Sequence, residues 1–264
     1  MCFGLRVALF LAFAAGSIPW ALGPFHRTPA AQPVIVPQRN SVFQDPIRKA
    51  AVAWQALQTF NPAAVVKDGK VYVIYRAEDN TGEMQIGMHT SRLGLAESED
   101  GIHFTTRAAP VLFPAEDEQR AREWPGGVED PRIVESPDGT YVLTYTQWNR
   151  KTYTVGIATS KDLIQWKKFG PAFGAEGKYA ALQYKSAAIL THLQNGRLIA
   201  AKVDGSYWMW WGEITIRLAR SDDLIHWHPV EGTDGQPLEV LAKRPGHFDS
   251  AFPETGPPPV VTKG

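Results

Sequence analysis

The run Gly126-Gly127-Val128-Glu129-Asp130-Pro131-Arg132 concentrates more reactive chemistry than any other stretch of this sequence. Two adjacent carboxyls, a proline that fixes its own φ and an arginine follow a Gly-Gly pair. Carboxyls beside a guanidinium suit two tasks. They grip vicinal hydroxyls through charge-assisted hydrogen bonds, and they move protons. A surface turn with a local ion pair would use the same residues, so the surrounding elements must decide. Glu129 would raise the Asp130 pKa by like-charge repulsion and Arg132 would lower it. The sequence leaves that balance open.

The elements show themselves as an internal repeat. Ala96-Glu-Ser98-Glu-Asp100-Gly-Ile102-His-Phe104 recurs as Ala158-Thr-Ser160-Lys-Asp162-Leu-Ile164-Gln-Trp166, and again as Ala219-Arg-Ser221-Asp-Asp223-Leu-Ile225-His-Trp227, at a spacing of about 60 residues. Upstream of each copy an Asp-Gly turn signal (Asp68-Gly69, Asp138-Gly139, Asp204-Gly205) precedes a β-branched or aromatic run. Ser and Asp in each copy are expected to cap backbone amides, and the following Phe or Trp to return the chain to the core. Each unit then reads as an antiparallel sheet of about four strands. Serial units of this kind predict an all-β protein, a β-propeller. From about Gln55 there is room for roughly three and a half units. Pro257 to Gly264 reads as the entry to a further strand, which suggests a truncated ring.

Composition narrows the partners. With 27 basic and 27 acidic residues among 264, the net charge is zero, which argues against nucleic acid. Nine Trp and eight Tyr suit a β core and suit sugar-stacking platforms equally. Arg6, the apolar run Val7 to Ala15 and the small residues after it read as an export signal over residues 1–23, too short in its apolar core for a comfortable membrane span. Residues 24–46, rich in Pro, Ala and Gln, read as an exposed lead-in, and 47–264 as the propeller. A periplasmic or secreted protein is expected, with no stable membrane insertion after cleavage. The single cysteine, Cys2, falls inside the signal, so no mature disulfide or thiol site is expected. The seven His show no metal-ligand spacing, and no phosphate-cradling glycine loop is present, so neither metal nor cofactor is expected.

Taken in order, Asn61-Pro-Ala-Ala64, Tyr75-Arg76-Ala-Glu78-Asp79, Ser91-Arg92-Leu-Gly-Leu-Ala96, Gly127-Val-Glu129-Asp130-Pro131-Arg132, Lys185-Ser186 and Phe248-Asp249-Ser250 resemble glycoside hydrolase family 130. The resemblance implies a five-bladed β-propeller that acts on β-mannosides at its central axis. The family holds both phosphorylases and hydrolases. Where a phosphorylase is expected to carry a His-Arg pair, this sequence reads Tyr207-Trp-Met-Trp-Trp-Gly-Glu213, and Glu254 follows the Phe-Asp-Ser motif. Both glutamates resemble the pair of the family's β-1,2-mannosidases, which favours an inverting hydrolase of mannose-containing oligosaccharides. A β-mannoside phosphorylase and a non-catalytic carbohydrate-binding propeller are the alternatives.

The resemblance assigns Asp130 as general acid, with Glu213 and Glu254 on the side of the attacking water. Asn61, Arg76, Asp79, Arg92, Arg132, Lys185, Tyr207 and Asp249 are the expected sugar-binding residues. Tyr207, Trp208, Trp210 and Trp211 are read either as a stacking wall or as core.

Overall fold

A computed structural model describes residues 33–262 of the chain; the expected export signal lies outside the described residues. Three consecutive four-stranded antiparallel meanders dominate it. The first comprises Gln58–Lys67, Lys70–Glu78, Ser91–Ser98 and Thr105–Thr106. The second comprises Gly127–Glu135, Tyr141–Trp148, Tyr153–Ser160 and Lys167–Pro171. The third comprises Ala187–Ile189, Ser206–Trp211, Thr215–Ser221 and His228–Pro229. Among the described residues the one helix is the four-residue turn Arg120–Glu123, so the fold is all-β. None is long and apolar enough to cross a membrane.

The repeated Ser-x-Asp element ends the third strand of every meander, with the same bonds each time. Ser98, Ser160 and Ser221 accept from the amides of Gly101, Leu163 and Leu224 at 2.8–2.9 Å. Asp100, Asp162 and Asp223 each accept from two further amides at 2.8–2.9 Å. The residue after each Asp is left-handed: Gly101, Leu163 and Leu224 have φ of 74°, 67° and 70°. Trp166 and Trp227 then donate back to the carbonyls of Leu163 and Leu224. A local sequence pattern thus fixes the same chain reversal three times.

The sheets pack face to face through their alternating residues. Ile74, Leu93 and Leu95 of the first meander meet Val128, Ile133 and Leu143 of the second. Val134, Val142 and Val155 of the second meet Ile189, Met209 and Trp211 of the third. Val73, Tyr75 and Ala77, on the other face of the first meander, pack on the fully buried Trp54.

Two expectations are corrected by this packing. The lead-in is not exposed throughout: Phe43–Asp45 pairs with Ala50–Val52, and Asp45 is buried beneath the first meander. Tyr207 lies in the core with Met209 and Trp211, because residues at alternate positions share a face. It sits four residues, about 13 Å of strand, from Trp211 at the far end. It meets none of the other expected sugar-binding side chains; its ring instead receives the ammonium of Lys202 at 4.8 Å.

Candidate active site

The first strands of the first two meanders carry a matching irregularity, and the third is preceded by a residue of the same backbone conformation. Pairing slips between Phe60 and Ala63 in the first and between Glu129 and Arg132 in the second. Asn61, Asp130 and Ser186, at or just before these strands, are all left-handed, with φ of 45°, 49° and 58°. A bulge of this kind re-aims a side chain, and Asn and Asp tolerate the left-handed region better than most residues. The results converge: Asn61 Nδ2 donates to Asp130 Oδ1 at 2.7 Å. Such strained positions cluster at functional sites.

The approach to Asp130 depends on Gly127. Its φ is 122°, and a Cβ there would lie 2.2 Å from the Ser91 carbonyl oxygen. The Gly-Gly pair is the point where the second meander's first strand meets the start of the strand Ser91–Ser98, through the parallel bridge Ser91–Gly127.

Around Arg76 the chain gathers three carboxyls. Arg76 Nη2 lies 2.6 Å from Glu78 Oε1 and 2.9 Å from Glu129 Oε1, and Nη1 lies 3.1 Å from Asp130 Oδ1. Arg76 Nε donates to Ser91 Oγ at 3.1 Å. All five residues are buried, Arg76 and Glu129 at 8% exposure, Asp130 at 5% and Glu78 at 2%. Burial pushes the Glu129 carboxyl up, Asp130 adds to this, and Arg76 only partly opposes it; the result is about 7. Burial also pushes Asp130 up, but Arg76, the Asn61 bond and Lys185 outweigh it and hold Asp130 below the usual carboxylate range. The lowering charge is Arg76, not the sequence neighbour Arg132. The Arg132 guanidinium turns away, donating to the Asp130 and Thr255 carbonyls at 2.9 and 2.7 Å.

A second group of acids faces this cluster across Lys185. Lys185 Nζ lies 3.3 Å from Glu213 Oε2. Burial alone would pull this ammonium down, but Glu213, then Asp130 and Glu254, outweigh it and hold it above the usual lysine value. Glu213 and Glu254 form an antiparallel bridge with each other. The Glu254 carboxylate accepts from Ser186 Oγ and lies 3.5 Å from Arg132 Nη2. Gly212, at φ 106°, donates to the Lys185 and Ser186 carbonyls at 3.0 Å and so seats Glu213 beside Lys185. A cleft of about 1100 Å³ reaches Lys185 and Glu213 and is walled by Tyr153, Tyr184 and Trp211. Asp130 and the Arg76 cluster lie outside its lining.

The structure thus brings together Asn61, Arg76, Asp130, Arg132, Lys185, Glu213 and Glu254. It sets Asp79 and Arg92 apart. Arg92 lies between Asp79 and Asp45 at 2.7 and 2.5 Å, with all three side chains at 0–1% exposure. Asp79 also accepts from the Thr81 amide at 3.0 Å. These partners leave neither side chain a face for a sugar, which corrects the expectation for both. Asp249 pairs with Arg244 at 2.7 Å, and its other oxygen is buried without a protein partner. It makes no contact with the acid cluster. Sequence reasoning gave no role to Glu78, Ser91 or Ser186 at this site, and gave Glu129 only a repulsion acting on Asp130. Register held one signal: Glu78 lies directly opposite Ser91.

Comparison with known proteins places this geometry. The chain belongs to glycoside hydrolase family 130, whose model, described as beta-1,4-mannooligosaccharide phosphorylase, matches residues 26–264. Among curated relatives, a 1,2-beta-oligomannan phosphorylase of Thermoanaerobacter sp. strain X514 is 35% identical over 81% of this chain and 64% of its own length. A solved structure, described with the statement that the family of mannoside phosphorylases contains glycoside hydrolases that target beta-1,2 mannosidic linkages in Candida mannan, is 49% identical with a TM-score of 0.89. It covers 92% of this chain and 68% of its own. A glycosyl hydrolase from Bacteroides ovatus is 47% identical with a TM-score of 0.89, over the same shares. The chain thus spans about two thirds of the length of these relatives.

Proposed function

We propose that this protein cleaves β-1,2-linked mannosides and that water is the acceptor. Three meanders packed in series, with their first strands side by side around the acids, support a place in a five-bladed propeller with the sugar at its axis. Asp130 is the acid in this reading, and Glu213 and Glu254 serve the attacking water. Asn61, Arg132 and Lys185 hold sugar hydroxyls.

The observation that carries the choice of acceptor is the charge around Lys185. Arg76, Arg132 and Lys185 face Glu78, Glu129, Asp130, Glu213 and Glu254. An incoming phosphate dianion would meet more negative than positive charge, and two of those carboxylates flank the lysine that would bind it. Phosphorolysis is the second reading. The names of the curated relatives and the description of the family model are all phosphorylases, and by name they back that reading more strongly than hydrolysis.

Incubation with β-1,2-mannobiose, with and without inorganic phosphate, separates the two. We expect free mannose at the same rate in both. Mannose 1-phosphate formed only with phosphate would assign the chain to the phosphorylases. Export to the periplasm or beyond is part of the same proposal and rests on Arg6 and the apolar run Val7 to Ala15.

A further inference from the structure

The Arg76 cluster has fewer protons than its contacts require. Ser91 Oγ lies 3.1 Å from both Glu78 Oε1 and Glu129 Oε1 while accepting from Arg76 Nε. A hydroxyl has one proton to give. It can donate to one of the two carboxyls, so the second contact is a hydrogen bond only if that carboxyl brings a proton of its own. Charge leads to the same place. One guanidinium faces three carboxyls in a site where each residue is at least nine-tenths buried. Fully ionised, the cluster would hold two uncompensated negative charges, which is costly away from water.

We propose that Glu129 is a positioning residue that shares one proton with Asp130 across Arg76, and so sets the pH range in which Asp130 can act as an acid. The inference rests on the acid role given to Asp130 above. In the free protein the proton sits on Glu129, whose carboxyl is pushed up to about 7 while Asp130 is held low. The two carboxyls titrate as a coupled pair. The form with the proton on Asp130 is a minor tautomer of the form with it on Glu129. Both exist until the pair loses its last proton, so competence persists to near pH 7 although Asp130 alone would be ionised far below that.

The groups that face Glu129 are few. Arg76 and Glu78 come from the strand Lys70–Glu78, Ser91 from the strand Ser91–Ser98, and Asp130 from its own strand. Lys185 acts on Asp130 from the third meander, and Arg132 points away.

The test is the pH profile of kcat/KM for β-1,2-mannobiose in the wild type, Glu129→Gln and Glu129→Asp. Glu129→Gln keeps the shape and removes the titration. Its alkaline limb should move to lower pH by more than about one unit, with activity recovering toward acid pH. Glu129→Asp, which restores a titrating carboxyl, should return the limb toward the wild-type position. An unchanged limb in Glu129→Gln overturns the proposal, whatever the loss in kcat. A second readout needs no turnover: the infrared C=O stretch of a protonated buried carboxyl should be present at pH 6, disappear as pH rises through about 7, and be absent in Glu129→Gln. Its absence from the wild type, or its persistence in Glu129→Gln, also overturns the proposal. If the infrared signal behaves as expected and no mannoside is cleaved, the shared proton stands and the functional reading fails.

Discussion

Asp130→Asn should lower turnover of β-1,2-mannobiose by about 10²- to 10⁴-fold, the range for losing a general acid, while the fold survives. Asn keeps the length and shape of the side chain and an oxygen at Oδ1. That oxygen can still accept from Asn61 Nδ2 and Arg76 Nη1, which now lie at 2.7 and 3.1 Å. Arg76 retains the Glu78 carboxylate as ion partner and its contact with Glu129, so its charge is not stranded. What Asn cannot do is release a proton to the leaving oxygen. Steady-state kinetics with circular dichroism on the same preparation checks this. Near-normal turnover in a folded variant would remove Asp130 from the acid role.

Arg92→Met should destabilise the protein by roughly 3–5 kcal/mol, the cost of stranding buried charge partners. Arg92 is fully buried between Asp45 and Asp79, which are themselves buried. Methionine fills most of the volume but leaves two carboxylates facing each other in a dry site. In a domain of this size that is a fall in Tm of roughly 6 to 20 °C. Thermal unfolding followed by calorimetry reads it directly. The same substitution should leave KM for the sugar unchanged in the cold, since Arg92 has no face toward the cleft. A large rise in KM with an unchanged Tm would return Arg92 to the sugar-binding set.

The contrast between Arg76 and Arg92 shows where the sequence stopped being legible. Both stand in motifs of alternating type, Arg76-Ala-Glu78-Asp79 and Ser91-Arg92. Which face a strand residue takes depends on parity, and parity depends on where the strand begins. Arg76 and Glu78 share one face, and Ser91 lies opposite Glu78 in register. Asp79 and Arg92 are one residue out of phase, so Arg92 bonds Asp79 and Asp45 instead. A residue list cannot resolve a shift of one position.

Glu129 and Asp130 break the parity rule. Neighbours on a regular strand point to opposite faces, yet both contact Arg76. The slip in pairing between Glu129 and Arg132 and the left-handed backbone at Asp130 make this possible. Nothing in the composition of the motif announces a bulge, although Pro131 after Asp130 and Pro62 after Asn61 are in hindsight the repeated sign of it. The Ser-x-Asp element was readable for the opposite reason. Its hydrogen bonds span only two or three residues, so its geometry travels with the local sequence.

Glu213 and Glu254 fall between these cases. Resemblance singled them out, but only the fold brings them together, through the bridge that sets them against Lys185 and Ser186. Their pairing across 41 residues of chain is a tertiary fact.

The most direct test is proton NMR of the mannose first released from the methyl glycoside of β-1,2-mannobiose, whose blocked reducing end adds no free anomer of its own, in phosphate-free buffer. An acid on one side of the bond and water directed by Glu213 and Glu254 on the other invert the anomeric centre, so α-mannose should form first and then mutarotate. Release of β-mannose, or no release until phosphate is added, would contradict the account.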